Sequence, residues 1–178
     1  MGRSRYKFHE EHYPYFVTST IVEGLPLFMD ARICDIVLDA LKYAQHENNV
    51  ILYGYVIMPN HIHLVAEGGQ LSARLRAFKS YTARSIINYL KANNKTRTLD
   101  QLKTGKLDNH KDSEFQVWQE GFHPKQVSTP KMMKVKLNYV HFNPVKSGFV
   151  SSSLYWRYSS ALNCEGKEGL ISVNIFSG

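Results

Sequence analysis

Two histidines separated by one residue are the first feature of this sequence with the potential for chemistry. His61 and His63 follow a Met-Pro-Asn turn in the stretch MPNHIHLV. Apolar and β-branched residues surround them and predict a strand, in which residues two apart lie on the same face. Two imidazoles on one face can chelate a divalent cation. The residues that follow are Leu, Val and Ala, so any third ligand must come from another part of the chain.

A tyrosine and an asparagine in the stretch NYVHFNPV form the second candidate group. Tyr139 and Asn143 are four residues apart, which places them on one face of a helix. If this helix packs beside the histidine strand, a phenol and an amide oxygen face the imidazole pair. A tyrosine beside a bound cation can attack a phosphodiester while the metal stabilises charge on the phosphate oxygens. The product, a phosphotyrosine linkage, retains the energy needed to rejoin a strand.

Tyr81 is an alternative nucleophile. The residue four positions after it is Ser85, so it lacks the polar partner that Tyr139 has. On this face of the predicted helix, a tyrosine more often packs in the core or stacks against a base. The sequence therefore favours Tyr139.

Basic residues are concentrated in two stretches, 71–98 and 121–146, that contain no Asp or Glu, and the net charge of the chain is +7. A surface field of one sign favours a polyanion, of which nucleic acid is the commonest. Tyrosines and phenylalanines interleave the basic residues, as in proteins that stack the bases of single strands. The alternative is a solvated basic surface without a ligand. The residues predicted to contact nucleic acid are Arg74, Arg76, Lys79, Arg84, Lys134 and Lys136.

The hydrophobic patterns predict an α+β fold. Asp30 is a typical helix N-cap, Pro59-Asn60 predicts a hairpin turn, and Pro130 and Pro144 are typical of a helix start and stop. The predicted order is strand, helix, strand, strand, helix, strand and a closing helix, which is that of a ferredoxin-like antiparallel sheet with helices on one face. These elements are a strand at 15–24, a helix at 30–48, a hairpin at 50–69, a helix at 71–94, a strand at 114–122 and a helix at 130–142.

The composition predicts a single globular domain. The chain has 178 residues, of which 43% are hydrophobic, and it lacks an apolar run long enough to span a membrane. Its start carries charges where a signal peptide needs an apolar segment, so we expect a cytoplasmic protein. Cys34 and Cys164 are isolated, which predicts neither a disulfide framework nor a thiolate zinc site. We expect one domain over 1–150 with a surface insertion near 93–114, and a tail over 151–178 that packs on it.

Several segments together resemble a known family. YGYVIMPNHIHLV, LSARLRAFKSYTARSI, QVWQEGF and LNYVHFNPVKSGFV occur in this order. They are similar to segments of the single-tyrosine HUH transposases, and most of all of the REP-associated tyrosine transposases. The resemblance covers roughly residues 13 to 162. It implies an HUH fold, Mg²⁺ or Mn²⁺ as cofactor, and cleavage and rejoining of single-stranded DNA beside a hairpin through a 5′-phosphotyrosine intermediate.

The resemblance also assigns roles to residues of this chain. His61 and His63 match the metal-binding pair, Tyr139 matches the nucleophile, and Asn143 matches a position where many relatives carry Gln to complete the metal site. Asn has a shorter side chain, so the role of Asn143 as a ligand is left open. Relatives include monomers and homodimers, and the sequence favours a monomer.

Two other functions remain as alternatives. The first is a DNA-hairpin-binding protein of the same fold with a regulatory or housekeeping role, which would not need both histidines and the tyrosine. The second is a metallohydrolase of small substrates, which the missing ligands and the broad basic surface disfavour.

Overall fold

The structure is a computed structural model that describes residue 10 and the ranges 12–107 and 113–177. Within these residues, four strands form one antiparallel sheet in the order β2-β3-β1-β4. The strands are β1 (Tyr15–Thr20), β2 (Ile51–Met58), β3 (His61–Glu67) and β4 (Lys125–Gln126). The helices are α1 (Ala31–Asn48), α2 (Leu71–Ala92), α3 (Thr96–Thr104), α4 (Pro130–Lys146) and α5 (Ala161–Cys164). This strand order, with α1 between β1 and β2 and α2 after β3, confirms the predicted ferredoxin-like fold.

Local sequence signals account for the ends of the helices. Asp30 Oδ1 accepts a hydrogen bond from the backbone N–H of Arg32 at 3.0 Å, and so caps α1 as predicted. Thr129 Oγ1 accepts one from the N–H of Met132 at 3.2 Å at the start of α4. The hairpin turns between β2 and β3 at Pro59-Asn60, which confirms that prediction as well.

Two layers cover the two faces of the sheet. The larger core lies between α1, α2 and the face that carries Val17, Ile62 and Leu64. A smaller apolar cluster on the opposite face includes Phe16 and Val65 and packs against α4. The two helices that alternate with the strands therefore share one face, as expected, while the closing helix covers the other.

The predicted fourth strand is wrong in position. Residues 114–122 were expected to form it, but the pair Lys125–Gln126 hydrogen-bonds to β1 instead. Trp118 makes only an isolated bridge to Ile21, just beyond the end of β1. Gln116, Val117 and Trp118 are all buried, so this segment is held by core packing rather than by a regular strand ladder.

Two further boundaries differ from the predictions. Helix α4 continues through Pro144 to Lys146. The proline has no N–H to donate to the carbonyl four residues before it, but the two residues after it stay helical and the bond from Ser147 N to Asn143 O still forms. Gly148, with φ +76°, ends this segment. Within the expected insertion, residues 96–104 form α3. Leu102 is its one buried residue, and one buried apolar side chain does not give the periodicity from which a helix is predicted. Residues 108–112 of that insertion lie outside the described part of the chain.

Candidate active site

The pairing of β1 with β3 places the two histidines on the sheet face that α4 covers. His61 is opposite Thr20 and His63 is opposite Thr18 in this antiparallel pair. Because side chains alternate along a strand, both imidazoles point away from the core formed by α1 and α2. Their ring centroids are 4.7 Å apart. The prediction that the two rings lie together on one face agrees with this geometry.

His63 lies in a buried environment that holds its imidazole in place. Its Nδ1 is 2.9 Å from Thr18 Oγ1, and its ring stacks on Phe16 with centroids 5.2 Å apart. Its Nε2 is buried and has no hydrogen-bond partner among the residues that the structure describes. Burial, with smaller contributions from His61 and Lys136, lowers the pKa of His63 to about 3. The ring is therefore neutral at physiological pH and has a free lone pair on Nε2 when Nδ1 carries the proton.

His61 is held by the turn that precedes it. Its Nδ1 is 2.7 Å from Asn60 Oδ1, an atom that only accepts hydrogen bonds, so Nδ1 is assigned the proton. Burial lowers the pKa of His61 as well. This arrangement leaves the lone pair of Nε2 available, as a metal ligand requires. The chemistry of the donor set fits a divalent cation at this pair.

Tyr139 lies directly beside the imidazole pair. Its ring meets that of His63 edge-on, with centroids 5.3 Å apart, and that of Phe16 with centroids 5.6 Å apart. The side chain is 43% exposed, whereas its neighbour Val140 is fully buried against the sheet. A phenol with one side against the histidines and the other open to solvent can reach a ligand that approaches from outside.

The closing helix also brings a positive charge to the site. The Lys136 ammonium lies 4.9 Å from the centroid of the Phe16 ring. The same phenyl ring also contacts His63 and Tyr139. Burial and the charge of Lys125 lower the pKa of Lys136. Lys134 is exposed on the same helix. Both lysines predicted to contact nucleic acid in this part of the chain therefore share the tyrosine helix.

Asn143 lies one turn beyond Tyr139 on α4, and its side chain is 8% exposed. Its role as a third ligand stays a prediction. Among the described residues, no group of three or more His, Cys, Asp and Glu side chains is arranged to hold a metal ion. Amide, water and substrate oxygens can supply further ligands to a cation bound by two histidines.

The basic residues of α2 are not brought to this site, because α2 packs on the opposite face of the sheet. Arg76 and Arg84 are exposed there, and Arg74 is half-buried between α1 and α2. Tyr81, the alternative nucleophile, is 57% exposed on the same helix and lies beside Arg74 in the groove between α1 and α2. The geometry thus favours Tyr139, because it is the tyrosine in contact with His63.

Lys79 was predicted to contact a DNA phosphate, but in the structure its ammonium is bonded to backbone carbonyls of this chain. Its ammonium donates hydrogen bonds to the backbone carbonyls of Gln119 at 2.6 Å and Gly121 at 2.8 Å. It also lies 4.8 Å from the centroid of the Phe122 ring, and burial lowers its pKa to about 8. These contacts tie the 119–122 segment to α2, which is a structural role.

Three residues of the site were not found from the sequence. Phe16 and Thr18 come from β1, and only the register between β1 and β3 brings them to His63. Asn60 is adjacent to His61, but its contact depends on the geometry of the turn. A pairing of strands distant in sequence has no local signal that could have revealed the first two.

The chain was compared with known proteins, and no protein-family model matches it. A curated protein of Haemophilus influenzae, named "Putative REP-associated tyrosine transposase", is 28% identical over 108 residues. The match covers 58% of this chain and 54% of that protein, so the chain spans about half the length of the curated relative it matches.

A solved structure, of a REP-associated tyrosine transposase bound to a REP hairpin, superposes on the chain with a TM-score of 0.68. The superposition covers 99% of this chain and 96% of that chain at 17% sequence identity, and it supports the α+β fold. Together with the curated match, it confirms the predicted resemblance to REP-associated tyrosine transposases. In the described part of the chain, no helix is long and apolar enough to cross a membrane.

Proposed function

We propose that this protein is a metal-dependent tyrosine transposase that cleaves and rejoins single-stranded DNA beside a hairpin. The observation that carries the proposal is the contact between Tyr139 and His63, with His61 4.7 Å from His63 between ring centroids. A protein that only binds DNA has no need of a partly exposed tyrosine beside two neutral imidazoles. The similarity to transposases supports the same reaction class.

The proposed cofactor is Mg²⁺ or Mn²⁺, and His61 and His63 would hold it. The buried Nε2 of His63, which has no partner in the described part of the chain, supports this, because an unsatisfied lone pair in a buried site is costly unless a ligand uses it. When bound, the cation would stabilise negative charge on the phosphate oxygens. Asn143 is the proposed third protein ligand, from one turn beyond the nucleophile on α4.

Tyr139 is the proposed nucleophile. Its phenol oxygen loses its proton and forms a bond to phosphorus, the bond between phosphorus and O3′ breaks, and the released 3′ oxygen takes up a proton to become a hydroxyl. The DNA 5′ to the break then ends in a free hydroxyl, and the other strand end is attached to Tyr139 through its 5′ phosphate. Attack by a 3′ hydroxyl on this linkage reverses the step and joins strands. Lys136 lies beside the Phe16 ring, which also contacts Tyr139. Its positive charge would favour binding of the DNA phosphate next to Tyr139.

The proposed partner is DNA with a hairpin next to a single strand. The solved relative is bound to a REP hairpin. In this chain, Lys134 and Lys136 lie on the tyrosine helix and are the proposed phosphate contacts nearest to the site. Arg74, Arg76 and Arg84 would contact DNA only if it also reaches α2 on the other face of the sheet. We propose a cytoplasmic location for this reaction.

We further propose that the protein acts as a monomer. Within a single chain His63 contacts both His61 and Tyr139, so these three residues come together without a second copy.

A denaturing gel tests the proposal. Labelled single-stranded oligonucleotides that carry hairpins found beside the gene are incubated with the protein and Mn²⁺. We expect a covalent protein–DNA adduct that requires the metal, is lost in Tyr139→Phe and persists in Tyr81→Phe. A protein that binds the hairpins tightly and holds Mn²⁺ but forms no adduct would instead be a binding protein, and the proposal would be wrong.

A further inference from the structure

The segment after α4 forms hydrogen bonds along the outer edge of β2, which is the edge strand of the sheet. The backbone N–H of Ile57 donates to Tyr158 O at 2.8 Å, and the N–H of Ser160 donates to Tyr55 O at 3.0 Å. Trp156 Nε1 also donates to Ile57 O at 3.0 Å. We name residues 156–160 the edge segment. It satisfies backbone groups that an edge strand would otherwise expose.

Ser160 links this edge segment to the tyrosine helix as well as to the sheet. Its side chain is fully buried, and its Oγ accepts a hydrogen bond from the N–H of Tyr55 at 2.9 Å. The same Oγ lies 2.8 Å from His141 Nε2 on α4. When Nε2 carries no proton, the hydroxyl donates to it while its oxygen accepts from Tyr55. One hydroxyl therefore connects β2, the edge segment and α4.

Three consecutive residues of α4 face three different neighbours. Val140 is fully buried against the sheet, Tyr139 contacts Phe16 and His63 on the side of β1 and β3, and His141 contacts Ser160 at the β2 edge. Because neighbouring residues are about 100° apart around a helix, Tyr139 and His141 flank Val140 on its two sides. The bond to His141 therefore restrains rotation of α4 about its axis, and that rotation determines where Tyr139 lies.

The approach of α4 to β2 is close enough for this restraint to matter. A Cβ added at Gly54 would lie 2.7 Å from Leu137 Cδ2, 3.4 Å from Ser160 Oγ and 3.6 Å from His141 Nε2. The close packing of Leu137 on Gly54 leaves little space for α4 to shift toward the sheet.

We propose that Ser160 is a positioning residue for the transposase reaction: through His141 it sets the rotation of α4 and holds Tyr139 against His63. The inference rests on the proposed function for its catalytic consequence. It makes the edge segment part of the machinery that aligns the nucleophile, rather than a cover for the sheet or a guide for DNA. Placement errors of about 1 Å at a reacting group can lower a rate by about 100-fold.

Ser159→Ala is a matched control for Ser160→Ala. Ser159 is also buried, but its Oγ donates to Trp156 O and accepts from the N–H of Ala161, so its described bonds stay within residues 156–161. Both variants lose one buried hydroxyl from the same segment. Ser160→Ala loses the bond to α4 and also the bond from the N–H of Tyr55, so a cycle with His141→Leu is used to isolate the bond to α4.

The experiment measures three quantities for the wild type and both variants, at a temperature where all are folded by circular dichroism. They are the single-turnover rate of adduct formation at saturating DNA, the Kd for the hairpin, and hydrogen exchange of the amides of residues 130–146. For Ser160→Ala we expect a rate at least roughly tenfold lower, a Kd within about twofold of the wild type, and faster exchange in α4. Ser159→Ala should match the wild type in all three. In a cycle with His141→Leu, the double variant should lose no more rate than either single variant.

Two results would overturn the inference. Equal rates and equal exchange in the two serine variants would make the segment a cover of the sheet edge. A raised Kd with an unchanged saturating rate would make it a guide for DNA. If the wild type forms no adduct, the proposed function is wrong, but the exchange of α4 in the two variants still decides whether Ser160 restrains this helix.

Discussion

The orientation of each imidazole depends on one short polar side chain. Thr18 Oγ1 lies 2.9 Å from Nδ1 of His63, and Asn60 Oδ1 lies 2.7 Å from Nδ1 of His61. Asn60 Oδ1 only accepts, so it selects the tautomer of His61 that leaves Nε2 free, whereas the Thr18 hydroxyl can donate or accept and holds the ring of His63 in place. Burial keeps both rings neutral by lowering their pKa values, so protons compete only weakly with a cation at physiological pH.

At this scale we predict that Thr18→Val weakens Mn²⁺ binding by roughly tenfold or more, because valine has a similar shape but cannot hydrogen-bond to His63. Thr18→Ser keeps the hydroxyl and should retain wild-type affinity. Isothermal titration of the DNA-free protein measures both. Equal affinities in the two variants would show that the hydroxyl does not orient a ligand.

The candidate residues His61, His63 and Tyr139 and their common location could be predicted from the sequence, but their surroundings could not. The spacing of His61 and His63 in a strand defines a common face. The local sequence around Tyr139 is enough to predict that this tyrosine lies on a helix. Phe16 and Thr18 reach His63 because β1 pairs with β3 in one particular register. That register follows from the burial of both sheet faces, which no local pattern specifies.

At the scale of elements, the close packing of α4 on β2 fixes the position of the helix that carries Tyr139, the proposed nucleophile. Gly54 is at a register shift of β2, where the absence of a side chain allows Leu137 to approach the backbone. The helix packs over this strand through the smaller apolar cluster, to which Val140 belongs.

We predict that Gly54→Ala lowers the free energy of unfolding by about 1–3 kcal/mol, because the added methyl overlaps Leu137 and pushes α4 outward. Gly69→Ala is the control, since an added Cβ there meets no atom within 4 Å; its effect should be within about 0.5 kcal/mol. Urea unfolding followed by circular dichroism measures both. A Gly54→Ala protein as stable as the Gly69→Ala protein would contradict the close packing.

The lysines of α4 and α2 should affect DNA binding differently. We predict that Lys134→Gln and Lys136→Gln each reduce the slope of log affinity against log salt by about one, because each removes one phosphate contact. Lys79→Gln should leave the slope unchanged and lower stability, because its ammonium is bonded to the carbonyls of Gln119 and Gly121. Fluorescence anisotropy with a labelled hairpin over a salt series gives the slopes. If Lys79→Gln reduced the slope as much as Lys134→Gln, its carbonyl contacts would have to open when DNA binds.

Elements with a strong periodic pattern could be predicted, and those held by tertiary contacts could not. Helix α1 and the β2–β3 hairpin have complete patterns with a cap or a turn signal. The strand β4 has only two residues, Lys125 and Gln126, too few for alternation to be visible. The 114–122 segment has a strand-like composition, but its buried residues fill the core beside β1 instead of extending the sheet.

At the scale of the whole molecule, one chain provides both the proposed metal-binding pair and the proposed nucleophile. We predict that a mixture of the His63→Ala and Tyr139→Phe proteins forms no more adduct than either protein alone, because each copy lacks one part of its own site. Light scattering should give a mass near that of one 20.5 kDa chain without DNA, and the mass of one chain plus one oligonucleotide when DNA is bound. Recovery of activity in the mixture would instead require a site shared between two copies.

The covalent attachment of DNA to Tyr139 is the central claim, and its most direct test is mass spectrometry of the adduct. The protein is reacted with a 3′-labelled hairpin oligonucleotide and Mn²⁺, then digested with trypsin and nuclease. Cleavage after Lys136 and Lys146 releases residues 137–146, in which Tyr139 is the only tyrosine. We predict that the 3′ label stays with the protein before digestion and that, after digestion, this peptide carries a nucleotide joined through its 5′ phosphate. An adduct on the 80–84 peptide that contains Tyr81, or none on a protein that binds the hairpin and Mn²⁺, would contradict the assignment of Tyr139 as the nucleophile.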